Sequence, residues 1–147
     1  MTQACEYTVK EMKIEGTNTM VELHLLDIGG QRIFEEITGD LLSHANMCVV
    51  VYDSTNPETV GNVKSWYERV CQANDKQVPG IVIGNKADLD NRISVSPEDG
   101  REIAASLGLE FFELSATRAQ DLENPFMSLA GRFYEAYEAK VQQLMGK

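Results

Sequence analysis

The stretch Ile81–Asp88, with the sequence IVIGNKAD, places a short apolar run directly before a polar loop. A similar run is MCVVVY at Met47–Tyr52, and LEFFEL at Leu109–Leu114 is a further predicted strand. Short continuous apolar runs are typical of parallel strands that are covered on both faces. Helical segments lie between these runs, so the sequence predicts an α/β fold with a mostly parallel sheet.

The predicted helices have clear starting points. A polar side chain precedes a proline at Asn56-Pro57, Ser96-Pro97 and Asn124-Pro125. Asparagine and serine are favoured as helix N-caps, and proline is favoured at the first helical position. Upstream, residues 5–15 and 19–28 predict two strands joined by a turn, because apolar and polar residues alternate in the second segment. This hairpin is expected to add one antiparallel edge strand to the sheet.

Composition limits the class of protein. The chain has 147 residues, and its 13 Lys and Arg against 23 Asp and Glu give a net charge of −10. We expect a single domain over residues 1–147 that does not bind nucleic acid, since nucleic-acid binding requires a basic surface.

No apolar run approaches the roughly 20 residues of a membrane span. The last cysteine is Cys71, so the C-terminal cysteines that carry a prenyl anchor are not found, and we expect no direct membrane anchor. The three cysteines are widely spaced, which indicates reduced thiols in the cytoplasm.

The first candidate site is the segment 27–31, DIGGQ, which lies at the end of a predicted strand. Ligands of parallel sheets bind at such strand ends. The Asp27 carboxylate can hold Mg²⁺ through water, the Gly30 N–H can approach a phosphate, and Gln31 can orient an attacking water. The alternative is a plain exit from a strand into a turn.

The second candidate site is the loop 85–88. A carboxylate at Asp88 can accept two N–H donors from the edge of guanine, whereas adenine presents no matching pair. Asn85 could bridge the base and the neighbouring loops, and the stem of Lys86 could cover the ring face. The alternative is an ordinary polar turn, in which these residue types are common.

The third candidate site, Ser115-Ala116-Thr117, follows the last predicted strand. A small residue there allows a backbone N–H to reach a base oxygen, and the serine hydroxyl can brace Asp88. Alone, this tripeptide is ordinary loop sequence.

Taken in this order, the motifs resemble those of the small GTPases of the Ras superfamily. Residues 27–34 are similar to the second switch of that family, residues 50–55 and 63–66 are Rab-like, and residues 85–88 and 115–117 match the guanine loops. The resemblance implies a P-loop NTPase (small GTPase) fold that binds GTP or GDP with Mg²⁺. It assigns Mg²⁺ binding through water to Asp27 and catalysis to Gln31. The nucleotide-binding residues that it implies are Asp27, Gly30, Asn85, Lys86, Asp88, Ser115, Ala116 and Thr117.

The chain also resembles the Rab-like subunits of the intraflagellar transport B complex, at residues 111–116, 124–130, 133–134, 137 and 140–141. That resemblance implies a protein of the cytoplasm and of the cilium or flagellum that acts mainly through protein–protein contacts. The implied partners are a small β-sandwich protein (subunit twenty-five), the B complex and factors linked to the BBSome. Two alternatives are a Rab-type GTPase switch in vesicle trafficking and a nucleotide-independent scaffold.

One feature of the family is missing. The phosphate-binding motif Gly-x-x-x-x-Gly-Lys-Ser/Thr does not occur in the 147 residues. We therefore expect an N-terminally incomplete domain without the first strand and the P-loop helix, best explained as a fragment or a late-start form. Direct pairing of the flanking strands, or a strand from another chain, are the alternatives. We also expect these residues alone to bind GTP weakly or not at all, and hydrolysis that depends on Gln31 only where a P-loop is present.

Overall fold

The computed structural model describes residues 5–29, 35–118 and 122–146, with backbone only for residues 35–38. Two compact units are present, one formed by the chain before Leu42 and from Phe126 onward, the other by Leu42–Pro125. In chain order the elements are β1 (Cys5–Lys13), β2 (Met20–Ile28), α1 (Glu35–Leu42), β3 (Cys48–Asp53), α2 (Pro57–Gly61), α3 (Val63–Ala73), β4 (Gly80–Asn85), a 3₁₀ turn (Asp90–Arg92), α4 (Pro97–Ser106), β5 (Glu110–Glu113) and α5 (Asn124–Met145).

The described strands form two sheets. β1 and β2 form an antiparallel pair, and β3, β4 and β5 form a parallel sheet in the order β3-β4-β5. The α/β class and the parallel sheet are thus confirmed. Among the described residues, the hairpin forms a two-stranded sheet of its own rather than one added edge strand, since neither of its strands pairs with β3, β4 or β5.

In the first unit, one face of the hairpin packs against α5. Met12, Ile14 and Val21 are buried together with Ala130 of the helix. Glu22 and His24 are exposed, as the alternation in the sequence predicts. The apolar stripe of α5 does not stay buried along the whole helix. Leu144 and Met145 at the C-terminal end of the helix are exposed, so they are not part of the core.

In the second unit, the parallel sheet is covered by α3 and α4. Val50 and Val82 of the sheet are buried with Val63 and Val70 of α3 and Ala104 of α4. The predicted caps are present, since the Asn56 side chain accepts from the Glu58 N–H and Ser96 forms a capping box with Asp99. Burial raises the pKa of the Cys48 thiol to about 12, so this cysteine is a protonated core residue at neutral pH.

A glycine inside α4 allows two aromatic rings to pack against the helix. Tyr52 is 2% exposed and stacks with Phe111, with ring centroids 6.5 Å apart. A Cβ at Gly100 would lie 2.5 and 2.6 Å from two ring carbons of Phe111 and against the Tyr52 hydroxyl. Glycine in a helix interior is unfavourable by up to about 1 kcal/mol relative to alanine, and this close contact explains its presence.

We predict that Gly100→Ala lowers the free energy of unfolding by about 2 kcal/mol, because the buried Tyr52 ring and the half-buried Phe111 ring cannot move aside without strain. Gly131→Ala in α5 is the matched control, since a Cβ there meets no described atom within 4 Å. It should raise the stability by up to about 1 kcal/mol. Urea unfolding of both variants measures the difference, and equal stabilities would contradict this packing.

Candidate functional site

The second unit brings three loops to the carboxyl ends of its parallel strands. Asp53 ends β3, Asn85 ends β4, and these two residues are register partners. Leu114 and Ser115 follow β5, and the Leu114 N–H donates to the carbonyl oxygen of Gly84 at 2.9 Å. The polar residues that the sequence predicts at the ends of β4 and β5 therefore lie side by side.

Ser115 fixes the carboxylate of Asp88. The Ser115 side chain is buried, and its Oγ donates to Asp88 Oδ1 at 2.5 Å. The same Oγ accepts the N–H groups of Thr117 at 3.2 Å and Arg118 at 3.3 Å. The hydrogen bond from Ser115 holds the pKa of Asp88 below its ordinary value. Asp88 is therefore an oriented carboxylate that only accepts hydrogen bonds at neutral pH.

Asn85 joins the β4 loop to the β5 loop. Its Oδ1 accepts the Lys86 N–H at 2.7 Å and the Ala116 N–H at 3.1 Å. The bridging role expected of Asn85 is thus present between the loops. The Ala116 N–H, expected to reach a base oxygen, donates to Asn85 in this structure. Binding a base oxygen there requires the N–H to leave Asn85 or to be shared with it.

Lys86 adopts an unusual backbone conformation and reaches the end of β3. Its φ is 69°, in the left-handed region that non-glycine residues rarely adopt. Its Nζ lies 2.6 Å from Asp53 Oδ2. Burial raises the pKa of Asp53, but the hydrogen bonds from Lys86 and Thr55 outweigh it, so the net pKa is below the ordinary value. In the sequence, the only indication of this pairing is that Asp53 is an acidic residue at the end of an apolar run.

The groups at this edge of the sheet have the chemistry that guanine recognition needs. The Asp88 carboxylate accepts hydrogen bonds, the Ala116 N–H donates, and the Asn85 amide can do both. Asp88 lies at one side of an open surface depression whose other walls are residues 89–92. The residues present therefore fit a guanine base, which carries two adjacent N–H donors and a carbonyl oxygen.

The remaining predicted site residues lie elsewhere in the chain. Asp27 is the penultimate residue of β2 in the first unit, where it is exposed and faces Glu6 in the register. Gly30 and Gln31 lie outside the described residues. Within residues 5–29, 35–118 and 122–146, no group of three or more His, Cys, Asp or Glu side chains is placed to hold a metal ion. The Mg²⁺ role of Asp27 and the catalytic role of Gln31 stay predictions.

Removing the Ser115 hydroxyl tests the Asp88 geometry. We predict that Ser115→Ala raises the pKa of Asp88 toward the ordinary aspartate value, because the main cause of its depression is lost. A depressed folded-state pKa stabilises the fold above the unfolded-state pKa, and this contribution is lost as the pH falls through the folded-state pKa. The stability difference between wild type and variant should therefore shrink in acid.

A ¹³C NMR titration of the Asp88 carboxyl group measures this pKa. Ser106→Ala is the control, since the Ser106 hydroxyl donates to the Ile103 carbonyl at 2.7 Å within α4. An unchanged pKa of Asp88 in Ser115→Ala would show that the hydroxyl does not orient the carboxylate.

Comparison with known proteins identifies the family of the chain. The Ras family model matches residues 1–135, and the chain belongs to the Ras family. Proteins of this family bind GTP or GDP with Mg²⁺. The small-GTPase identification made from the motifs is confirmed.

Individual proteins that are similar to the chain give a more specific comparison than the family model. The chain is 35% identical over 143 residues to the Intraflagellar transport protein 27 homolog of Homo sapiens, covering 97% of this chain and 77% of the relative. It is 31% identical over 144 residues to the homolog of that name in Trypanosoma brucei brucei, covering 98% and 78%. It is also 35% identical over 118 residues to Ras-related protein RIC1 of Oryza sativa subsp. japonica, covering 80% and 58%. Among the described helices, none combines the length and apolar character that a membrane-spanning helix needs.

Proposed function

We propose that this chain is a Rab-like subunit of intraflagellar transport that binds a guanine nucleotide and acts mainly through protein–protein contacts. The observation that carries the proposal is the joined guanine loop, in which Ser115 orients Asp88 and Asn85 accepts the Ala116 N–H. Relatives named for intraflagellar transport match nearly the whole chain and support the cellular role. Their names support work at the cilium or flagellum. The proposal adds exchange with the cytoplasm.

The proposed ligand is GTP or GDP with Mg²⁺. Asp88 and Ala116 read the base, Asn85 and Lys86 shape its loop, and Ser115 with Thr117 brace the loop after β5. Asp27 contacts the metal through water, and Gly30 offers its N–H to a phosphate. When bound, Mg²⁺ would neutralise charge on the phosphate oxygens. Gln31 orients water for slow hydrolysis in a protein that also has a P-loop.

The proposed partners are the β-sandwich subunit twenty-five, the remainder of the B complex and BBSome-linked factors. The exposed aromatic residues of α5 support a contact surface there. Phe133 is 38% exposed and Tyr137 is 56% exposed. Tyr134 packs against the buried cluster of the first unit. Aromatic residues are enriched in protein interfaces, so Phe133 and Tyr137 are the better candidates.

Affinity capture from ciliated cells tests this function. We expect the full chain to recover intraflagellar transport subunits, and Tyr137→Ala to reduce that recovery severalfold without changing stability. Gln143→Ala, an exposed polar change on the same helix, is the matched control and should recover wild-type amounts.

A Rab-type GTPase switch in vesicle trafficking is the second candidate function, since the chain is also similar to a Ras-related protein. Recovery of Rab effectors without ciliary transport proteins would favour that candidate and contradict the first.

A further inference from the structure

The guanine loop, residues 85–88, makes stabilising contacts on both of its sides. Asn85 points to the neighbouring β5 loop, where its Oδ1 accepts the Ala116 N–H. Lys86 points the opposite way across the sheet, to Asp53 at the end of β3. Because β4 lies between β3 and β5, consecutive residues of one loop link it to both flanking strands.

The carboxylate that receives Lys86 is itself held in place. Asp53 Oδ1 accepts the Thr55 N–H at 2.9 Å and the Thr55 hydroxyl at 2.6 Å. Thr59 Oγ1 accepts the Asp53 N–H at 3.0 Å. These contacts leave Asp53 Oδ2 directed at Lys86 Nζ, at 2.6 Å. The side chain of Lys86 is thus drawn to a carboxylate whose position the β3–α2 connection determines.

We infer that Asp53 is a positioning residue of the guanine loop, which affects nucleotide binding only through Lys86. This inference rests on the proposed guanine-nucleotide binding. Asp53 holds the lysine ammonium over the end of β3 and so helps to keep the left-handed backbone of Lys86 in place. That backbone leads directly into Ala87 and Asp88, so it sets where the base-reading carboxylate lies.

The size of the effect follows from the exposure of the pair. The Lys86 side chain is 50% exposed and the Asp53 side chain is 23% exposed, so solvent weakens their attraction. Breaking such a pair should lower guanine-nucleotide affinity by about fivefold, not abolish it.

A double-mutant cycle on the 147-residue protein tests the inference, with GMP as the probe and NMR chemical shifts as the readout. Asp53→Asn keeps an oxygen for Thr55 and removes the charge that faces Lys86, and Lys86→Met keeps the stem and removes the ammonium. We expect each single variant to weaken GMP binding about fivefold, and Asp53→Asn to have less than about a twofold effect in the Lys86→Met background. Asp53→Glu should recover part of the loss.

The matched control is Glu68→Gln, which breaks another exposed lysine–carboxylate pair, Lys64–Glu68, where the two atoms lie 3.8 Å apart. It should leave GMP binding unchanged, and thermal melts establish that every variant is folded. A loss on Asp53→Asn that is equal with and without Lys86 overturns the inference, as does no loss. Should the wild-type protein fail to bind GMP at all, the proposed nucleotide binding is what fails, and the positioning role falls with it.

Discussion

Asp88→Asn is expected to reverse the base preference of this protein from guanine to xanthine. Ser115 orients the Asp88 carboxylate, whose oxygens can accept the N1–H and 2-amino groups of guanine. An asparagine keeps one acceptor but presents an N–H donor to the guanine amino group, so two donors oppose each other. Xanthine carries a carbonyl oxygen at that position, which the asparagine N–H can meet.

The expected change in the GMP-to-XMP affinity ratio is about 10²-fold or more, because hydrogen bonds to a charged acceptor contribute roughly 1.5–3 kcal/mol each. Competition between GMP and XMP, followed by NMR, measures this ratio for both proteins. Asp90→Asn is the matched control, since Asp90 lines the same depression. An Asp88→Asn protein that still prefers GMP would remove Asp88 from base recognition.

The second large effect concerns the phosphates. Residues 1–147 contain no Gly-x-x-x-x-Gly-Lys-Ser/Thr motif, so we expect this polypeptide to bind GTP with Mg²⁺ no more than about tenfold tighter than GMP. A P-loop would supply several backbone N–H groups and a lysine to the phosphates. Losing even three charge-assisted hydrogen bonds costs on the order of 5–9 kcal/mol, or about 10³–10⁶ in affinity.

Titration calorimetry with GTP and Mg²⁺, compared with GMP, decides this point. Weak binding of both ligands with similar affinities is the expected result. Sub-micromolar GTP affinity would show that other residues of this chain replace the P-loop.

The sequence predicts the parallel sheet and the guanine loop well because both depend on short-range patterns. Apolar runs identify the strands, and the polar residues after β4 and β5 must meet where parallel strands end together. The contact between Ser115 and Asp88 follows from that placement. The pairing of Lys86 with Asp53 does not, since a long flexible side chain can reach several neighbours.

Two other features depend on tertiary packing that a sequence pattern cannot reveal. The α5 stripe has a regular helical period, yet Tyr137 and Leu144 are exposed because the contacts with the hairpin involve the first half of the helix. Gly100 would be an unfavourable helix residue by propensity alone, and only the positions of Tyr52 and Phe111 explain it.

The most direct measurement is an NMR titration of the wild-type 147-residue protein with GMP and, separately, with AMP. GMP should shift the backbone amides of residues 85–88 and Ala116 at millimolar concentrations, whereas AMP should leave them unchanged. Equal shifts with both nucleotides, or no shift with either, would contradict a guanine-specific loop at the carboxyl edge of the sheet.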